Sequence, residues 1–129
     1  MLEAKWITFE NCEVFKAYQE LPLFLGHYSI ELHKKKDNSI FYDTFNVNID
    51  DSKLFNELLK LKNGEIERCQ FACGMADIDI YKNKNNNYVI HDSPSAGIHY
   101  QYIISPEEFE KLLSRLDVKH LDLYLSQLV

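Results

Sequence analysis

The residues best placed to do chemistry fall in two short stretches. Asp77 and Asp79 alternate with apolar Ala76, Ile78 and Ile80, while His91, Asp92, Ser93, Ser95 and His99 crowd one polar segment. On a strand, Asp77 and Asp79 share a face. They could act as a carboxylate pair, hold a cation or present an acidic row to a partner. The opposite face of that run is apolar, so the plain account is a solvated sheet face. A protein-binding row follows from it more readily than catalysis or metal binding. The second stretch holds the residue types of a Ser–His–Asp relay. Such a relay needs a nucleophile on a constrained turn, a base in hydrogen-bond reach and an orienting acid. There is no GxSxG context, and Asp, Ser, Pro and Gly are what turns use. Turn chemistry accounts for DSPSAG without catalysis.

Cys69 and Cys73 invite a redox or metal reading. On a strand they would stand about 13 Å apart at roughly 3.3 Å per residue. That is too far for one disulfide or one zinc ion, so core packing is expected. With Cys12 the cysteine count is odd, which favours reduced thiols in the cytoplasm. The opening MLEAKWITFENCEVF has no basic region followed by an apolar run, so no secretory signal is expected. No stretch is apolar enough for a membrane span. His27 and His33 are expected on the surface, and His120 carries no signal. Lys34, Lys35 and Lys36, followed at once by Asp37, suit a solvated hairpin that protects a sheet edge. Four scattered glycines exclude a phosphate loop or a dinucleotide fingerprint. No cofactor and no metal are expected.

These residues need a scaffold, and Met75–Ile104 is its centre. It reads as three short alternating runs parted by two polar turns, an antiparallel meander that begins with the run from Ile66 to Cys73. Before it, Trp6, Ile7 and Phe9 suggest a short strand. Val14, Phe15 and Tyr18 recur at helical spacing, with Asn11 as a cap, and Pro22 ends that helix. Leu23–Lys34 and Ile40–Ile49 read as a hairpin around KKKDNS. Asp43 falls on its apolar face, which implies either a bulge or a buried polar group with a partner. Asp50-Asp51-Ser52 opens a central helix, with Leu54, Phe55, Leu58, Leu59 and Leu61 as its stripe, Asn63-Gly64 as its stop and Lys60 and Lys62 at its end. Ser105-Pro106-Glu107-Glu108 is a helix start with a capping-box pattern. Phe109, Leu112, Leu113 and Leu116 face inward, Asp117-Val118 kinks or splits the helix, and Leu121, Leu125 and Leu128 continue the face.

The expectation is therefore one α+β domain over residues 1–129. A mostly antiparallel sheet of about five to six strands, hairpin plus meander, carries the central and C-terminal helices on one face. Parallel crossovers are not required, because most connections are too short for them. A net charge of −6 argues against nucleic-acid binding and suits a basic protein partner.

The run EVFKAYQELPLFLGHYSIELHKKKDNSIFYDTFNVNI resembles the start of small bacterial immunity proteins of polymorphic and contact-dependent toxin systems. Those show a short helix, a Leu-Pro turn and a charged hairpin, followed by an acidic α+β body. NNNYVIHDSPSAGIHYQYII is similar in character to their meander strands. The likeness is one of pattern over about two thirds of the chain, and no motif carries a residue role across. It implies a non-enzymatic cytoplasmic inhibitor of a cognate toxin's C-terminal domain, which is often a cationic nuclease. The partner surface expected from the residues themselves centres on Asp77 and Asp79. Glu65, Glu67, Asp50, Asp51 and Glu57 join it if folding brings them close, and Tyr81 and Tyr100 are aromatic anchors. The Leu-rich HLDLYLSQLV suggests a homodimer through the C-terminal helix. The alternatives are another small cytoplasmic protein-interaction or ligand-binding domain and, from a different class, a small enzyme built on His91–His99 or on Asp77 and Asp79.

Overall fold

The computed structural model describes residues 3–19, 26–73, 76–95 and 97–117. These form eight strands and two helices in the order β1 (Lys5–Phe9), β2 (Glu13–Gln19), β3 (His27–Lys35), β4 (Tyr42–Asp50), α1 (Leu54–Lys62), β5 (Arg68–Cys73), β6 (Ala76–Lys82), β7 (Tyr88–Ser95), β8 (Ile98–Ile104) and α2 (Pro106–Leu116). The α+β class stands as expected. The strands divide between two sheets, ordered β1-β8-β7-β6-β5 and β2-β3-β4, and so exceed the five or six expected in one sheet.

The meander is present as β5 to β8, each strand antiparallel to the next. β1 then adds to β8 in parallel, with Trp6 beside His99 and Thr8 beside Gln101. This one parallel pair needs no local crossover, because almost the whole chain lies between its strands. Pro94 sits in β7 where the register with β8 shifts between Asp92 and Ser95, a place where a missing N–H costs little. DSPSAG is thus largely strand rather than turn.

The helix expected from Asn11 onward is strand β2. A bulge between Val14 and Lys16 turns Phe15 outward, so that Val14 and Ala17 both face the core. Their three-residue spacing imitates a helix, although a bulged strand produces it. Residues 20–25 lie outside the described set, and with them the Leu-Pro turn and the stop assigned to Pro22. Asp43 needs no bulge: the β3–β4 register is continuous, and the carboxylate lies 3.2 Å from Lys36 Nζ.

α1 starts later than expected. Asp50 still belongs to β4, opposite His27, and Asp51 Oδ1 accepts from the Lys53 amide at 2.9 Å. Gly64, at φ +77, follows the C-cap Asn63. α2 begins at the N-cap Ser105, which accepts from the Glu108 amide at 3.1 Å, and its last helical residue is Leu116. The proposed continuation through Leu121, Leu125 and Leu128 lies outside the described residues.

The core fills the space between the inner faces of both sheets and the apolar stripes of the helices. Ile78, Ile80, Ile90 and Ile104 come from the five-stranded sheet, and Ile30, Leu32, Val47 and Ile49 from the other. Leu54, Leu58, Phe109 and Leu112 come from the helices. Phe45 of β4 bridges the sheets, 4.4 Å from the Phe9 ring and 4.9 Å from Tyr102. Phe109 stacks on Tyr88 at 3.7 Å. No helix among the described residues is long and apolar enough to cross a membrane.

Candidate functional site

The inner face of the five-stranded sheet is spoken for by this core, so its chemistry lies on the outer face. Strand alternation places Arg68 and Gln70 of β5, Asp77, Asp79 and Tyr81 of β6, His91 and Ser93 of β7, His99 and Gln101 of β8, and Trp6 and Thr8 of β1 on that face. The two stretches that could do chemistry therefore meet. Asp79 stands directly opposite His91 in the ladder, and His91 stands opposite Gln101, next to His99.

Their side chains form a connected band across all five strands. Asp79 Oδ2 lies 3.9 Å from Arg68 and 3.7 Å from His91 Nδ1. His91 Nε2 is 2.9 Å from His99 Nδ1, a hydrogen bond between two imidazoles. The Trp6 indole stacks on His99 with centroids 4.0 Å apart and planes 8° apart, and it reaches His91 at 5.0 Å. The band returns through glutamine: Gln101 Nε2 donates to Tyr81 Oη at 3.1 Å, and Thr8 Oγ1 donates to Gln101 Oε1 at 3.1 Å. The Arg68 guanidinium lies 4.9 Å above the Tyr81 ring. Burial is graded along the band: the His91 side chain is 15% exposed, that of Asp79 22%, and Trp6 52%.

This geometry favours one arrangement of the protons. The Asp79 carboxylate favours a proton on His91 Nδ1. His91 Nε2 is then the acceptor, and His99 Nδ1 must be the donor. His99 Nε2 is left with its lone pair. Such a relay can hand on a proton, but the hydrolytic constellation is not assembled by these contacts. The Ser93 hydroxyl turns to the Ile98 carbonyl at 3.4 Å, not to an imidazole. No group of three or more His, Cys, Asp or Glu side chains among the described residues could hold a metal ion.

The expected partner residues divide between surfaces. Asp77, exposed, and Tyr81, half-buried, join Asp79 on the open face. Exposed Glu67 lies beside it, lining with Arg68, Tyr81 and Lys82 a groove of about 660 Å³ at the end of α1. Glu65 is exposed just after α1, its amide bonded to the Lys60 carbonyl at 2.9 Å. Asp50, Asp51 and Glu57 belong to the α1 side, beneath the inner face. Asp50 lies 3.3 Å from His27 and Glu57 lies 3.6 Å from Lys60. Tyr100 is on the inner face, packed toward Phe9 and Tyr102. Its phase with Ile98, Tyr102 and Ile104 was the sequence signal for that. Trp6, Arg68 and Gln101 were not anticipated, and only the parallel β1–β8 register brings Trp6 to the imidazoles.

Cys69 packs in the core as expected, its thiol 3.3 Å from the Glu57 carbonyl; the Cys73 side chain lies outside the described set. A separate exposed apolar zone lies on the three-stranded sheet. Phe15 stacks on His33 at 4.1 Å, Tyr42 approaches the same ring, and Ile40 and Phe41 project from the hairpin. Comparison with family models, with curated proteins and with solved structures finds no match to this chain.

Proposed function

We propose that this chain is an immunity-type inhibitor that binds a cognate bacterial toxin domain, basic in charge, in the cytoplasm. Its contact surface is the open face of the five-stranded sheet. The single observation that carries the reading is Trp6, half-exposed and stacked on His99 and His91, on the same sheet face as the carboxylates of Asp77 and Asp79, which stand on β6 with β8 and β7 between. A large aromatic side chain held in place by stacking is the kind of anchor on which interface energy concentrates. Two carboxylates on the same face steer a cationic partner, as does the net charge of −6. Inhibition here is occlusion: the partner's basic active surface is covered, and no bond is made or broken.

The test is whether a neighbouring gene encodes a basic C-terminal toxin domain, and whether that domain associates with this protein, followed by calorimetry at low salt. Trp6→Ala and Asp77→Lys should each weaken binding roughly tenfold or more. Phe41→Ser, on the other sheet, should leave it unchanged. Loss of binding in the Phe41 variant with normal binding by the other two would move the contact to the three-stranded sheet. Absence of any association would remove the inhibitor reading.

A further inference from the structure

We infer that the His91–His99 contact is a proton switch that reverses the charge of the open face and loosens Trp6 in acid. The regulation rests on the reading of that face as the partner surface; the switch itself does not. The two nitrogens stand 2.9 Å apart, a distance that admits one proton between them. With His91 protonated on Nδ1 toward Asp79 and His99 donating from Nδ1, the first added proton goes to His99 Nε2. The contact survives and becomes charge-assisted. A second proton must go to His91 Nε2, which already accepts from His99. Two N–H donors would then face each other, so the second proton enters only as the rings separate.

Both steps act on the surface a partner would meet. Among the described residues, the charged groups facing the pair are Asp77 and Asp79 from β6 and Arg68 from β5, a formal charge of −1. Tyr81 is neutral, and β1 contributes Trp6 and Thr8, which do not titrate. Asp92 lies on the far side of β7, and its charge also reaches His91. One imidazolium brings the face to neutrality and two make it positive. The first also sits under the Trp6 ring at 4.0 Å, where a cation holds the indole; the second withdraws that support as the rings part. Acidification therefore turns an acidic, ordered surface into a cationic one with a loosened anchor, which a basic partner leaves.

Trp6 is the single tryptophan of the chain, so its emission reports the switch without a label. Titration of the isolated protein from about pH 8 to about pH 5 should change that emission in two steps. His91→Gln and His99→Gln should each reduce the change to at most one step, with thermal melts showing that both variants remain folded. Nitrogen-15 NMR of the wild-type imidazoles, which needs no variant, should find Nδ1 protonated on both rings at the alkaline end. Emission that does not move in the wild type, or that moves in both variants as it does in the wild type, overturns the switch and leaves the proposed binding surface standing. With the toxin domain described above, affinity should fall roughly tenfold over the same range in the wild type, and by less in the His99→Gln variant. A two-step emission change accompanied by pH-independent affinity overturns the regulation, and with it the placement of the partner on this face.

Discussion

The Glu108 carboxylate accepts a hydrogen bond from the Val14 amide at 2.8 Å, joining the first turn of α2 to the edge of the three-stranded sheet. In a capping box the glutamate at the third helical position reaches back to its own N-cap amide. Here one half of the box is kept, since the Glu108 amide bonds Ser105 Oγ, while the carboxylate is spent on another element. The bulge explains why: Val14 lies where β2 departs from regular pairing with β3, and β2 is an edge strand. Arg115, two turns further along α2, donates to the Val14 and Phe15 carbonyls. One helix thus satisfies both a donor and acceptors that the bulged edge exposes.

Glu108→Ala and Arg115→Ala should each destabilise the fold by roughly 1–3 kcal/mol in urea unfolding, the cost of leaving part-buried backbone groups without a partner. The double variant should lose less than the sum, because both side chains act on one segment. Strict additivity would mean that the two contacts are independent.

Local elements were legible in the sequence because local chemistry dictates them. Alternation gave β6 and β8, a Ser-Pro-Glu-Glu start gave α2, and Asn63-Gly64 gave the end of α1. What escaped depends on partners distant in sequence. Val14, Phe15 and Tyr18 look helical until the bulge beside β3 is known. Asp79 and His91 were recognised separately, but their pairing follows from the β6–β7 register, and Trp6 arrives through a parallel pairing that no local pattern signals. The division into two sheets was equally hidden, since the strands of both alternate alike. Tyr100 is different: its inward phase with Ile98, Tyr102 and Ile104 is present in the alternation itself.

Asp92 points to the inner face, opposite Ile78 and Tyr100. Burial raises its pKa from 3.8, opposed by the nearby His91. The folded state therefore holds the proton to a higher pH than the unfolded chain does. This favours folding below pH 3.8, and the advantage is lost as pH rises through the raised value. At neutral pH the charge is a standing penalty. Asp92→Asn should raise the melting temperature at pH 7, with the gain shrinking to nothing below pH 3.8. A destabilised variant at pH 7 would show that the carboxylate makes a bond worth more than its desolvation.

The two buried thiols should behave as inert core groups. Burial pushes Cys12 up to about 11 and Cys69 up to about 12, from 9.0 in the open chain, and each thiol points at a backbone carbonyl, of Phe9 and Glu57 respectively. Neither should react with a disulfide reagent at about pH 8 until the protein unfolds, since the thiolate is the nucleophile. Both pKa values are raised on folding, so their contribution is complete below pH 9.0 and is lost as pH climbs through about 11 and about 12. The Cys12→Ala, Cys69→Ala double variant should show a shallower fall in stability across that alkaline range, although its cavities lower stability at every pH.

Trp6 separates binding from folding. Its side chain is 52% exposed and stacks on His99 and His91 rather than entering the core. Truncating it removes two stacked pairs at the surface, for which about 0.5–1.5 kcal/mol each is the expected cost. Trp6→Ala should thus unfold at a urea midpoint near that of the wild type while binding the proposed toxin partner roughly tenfold more weakly. Phe109→Ala, by contrast, empties a core position stacked on Tyr88 and should cost about 3–5 kcal/mol. If Trp6→Ala lowers stability as far as Phe109→Ala does, the indole is structural, and the open face loses its anchor as an argument for binding.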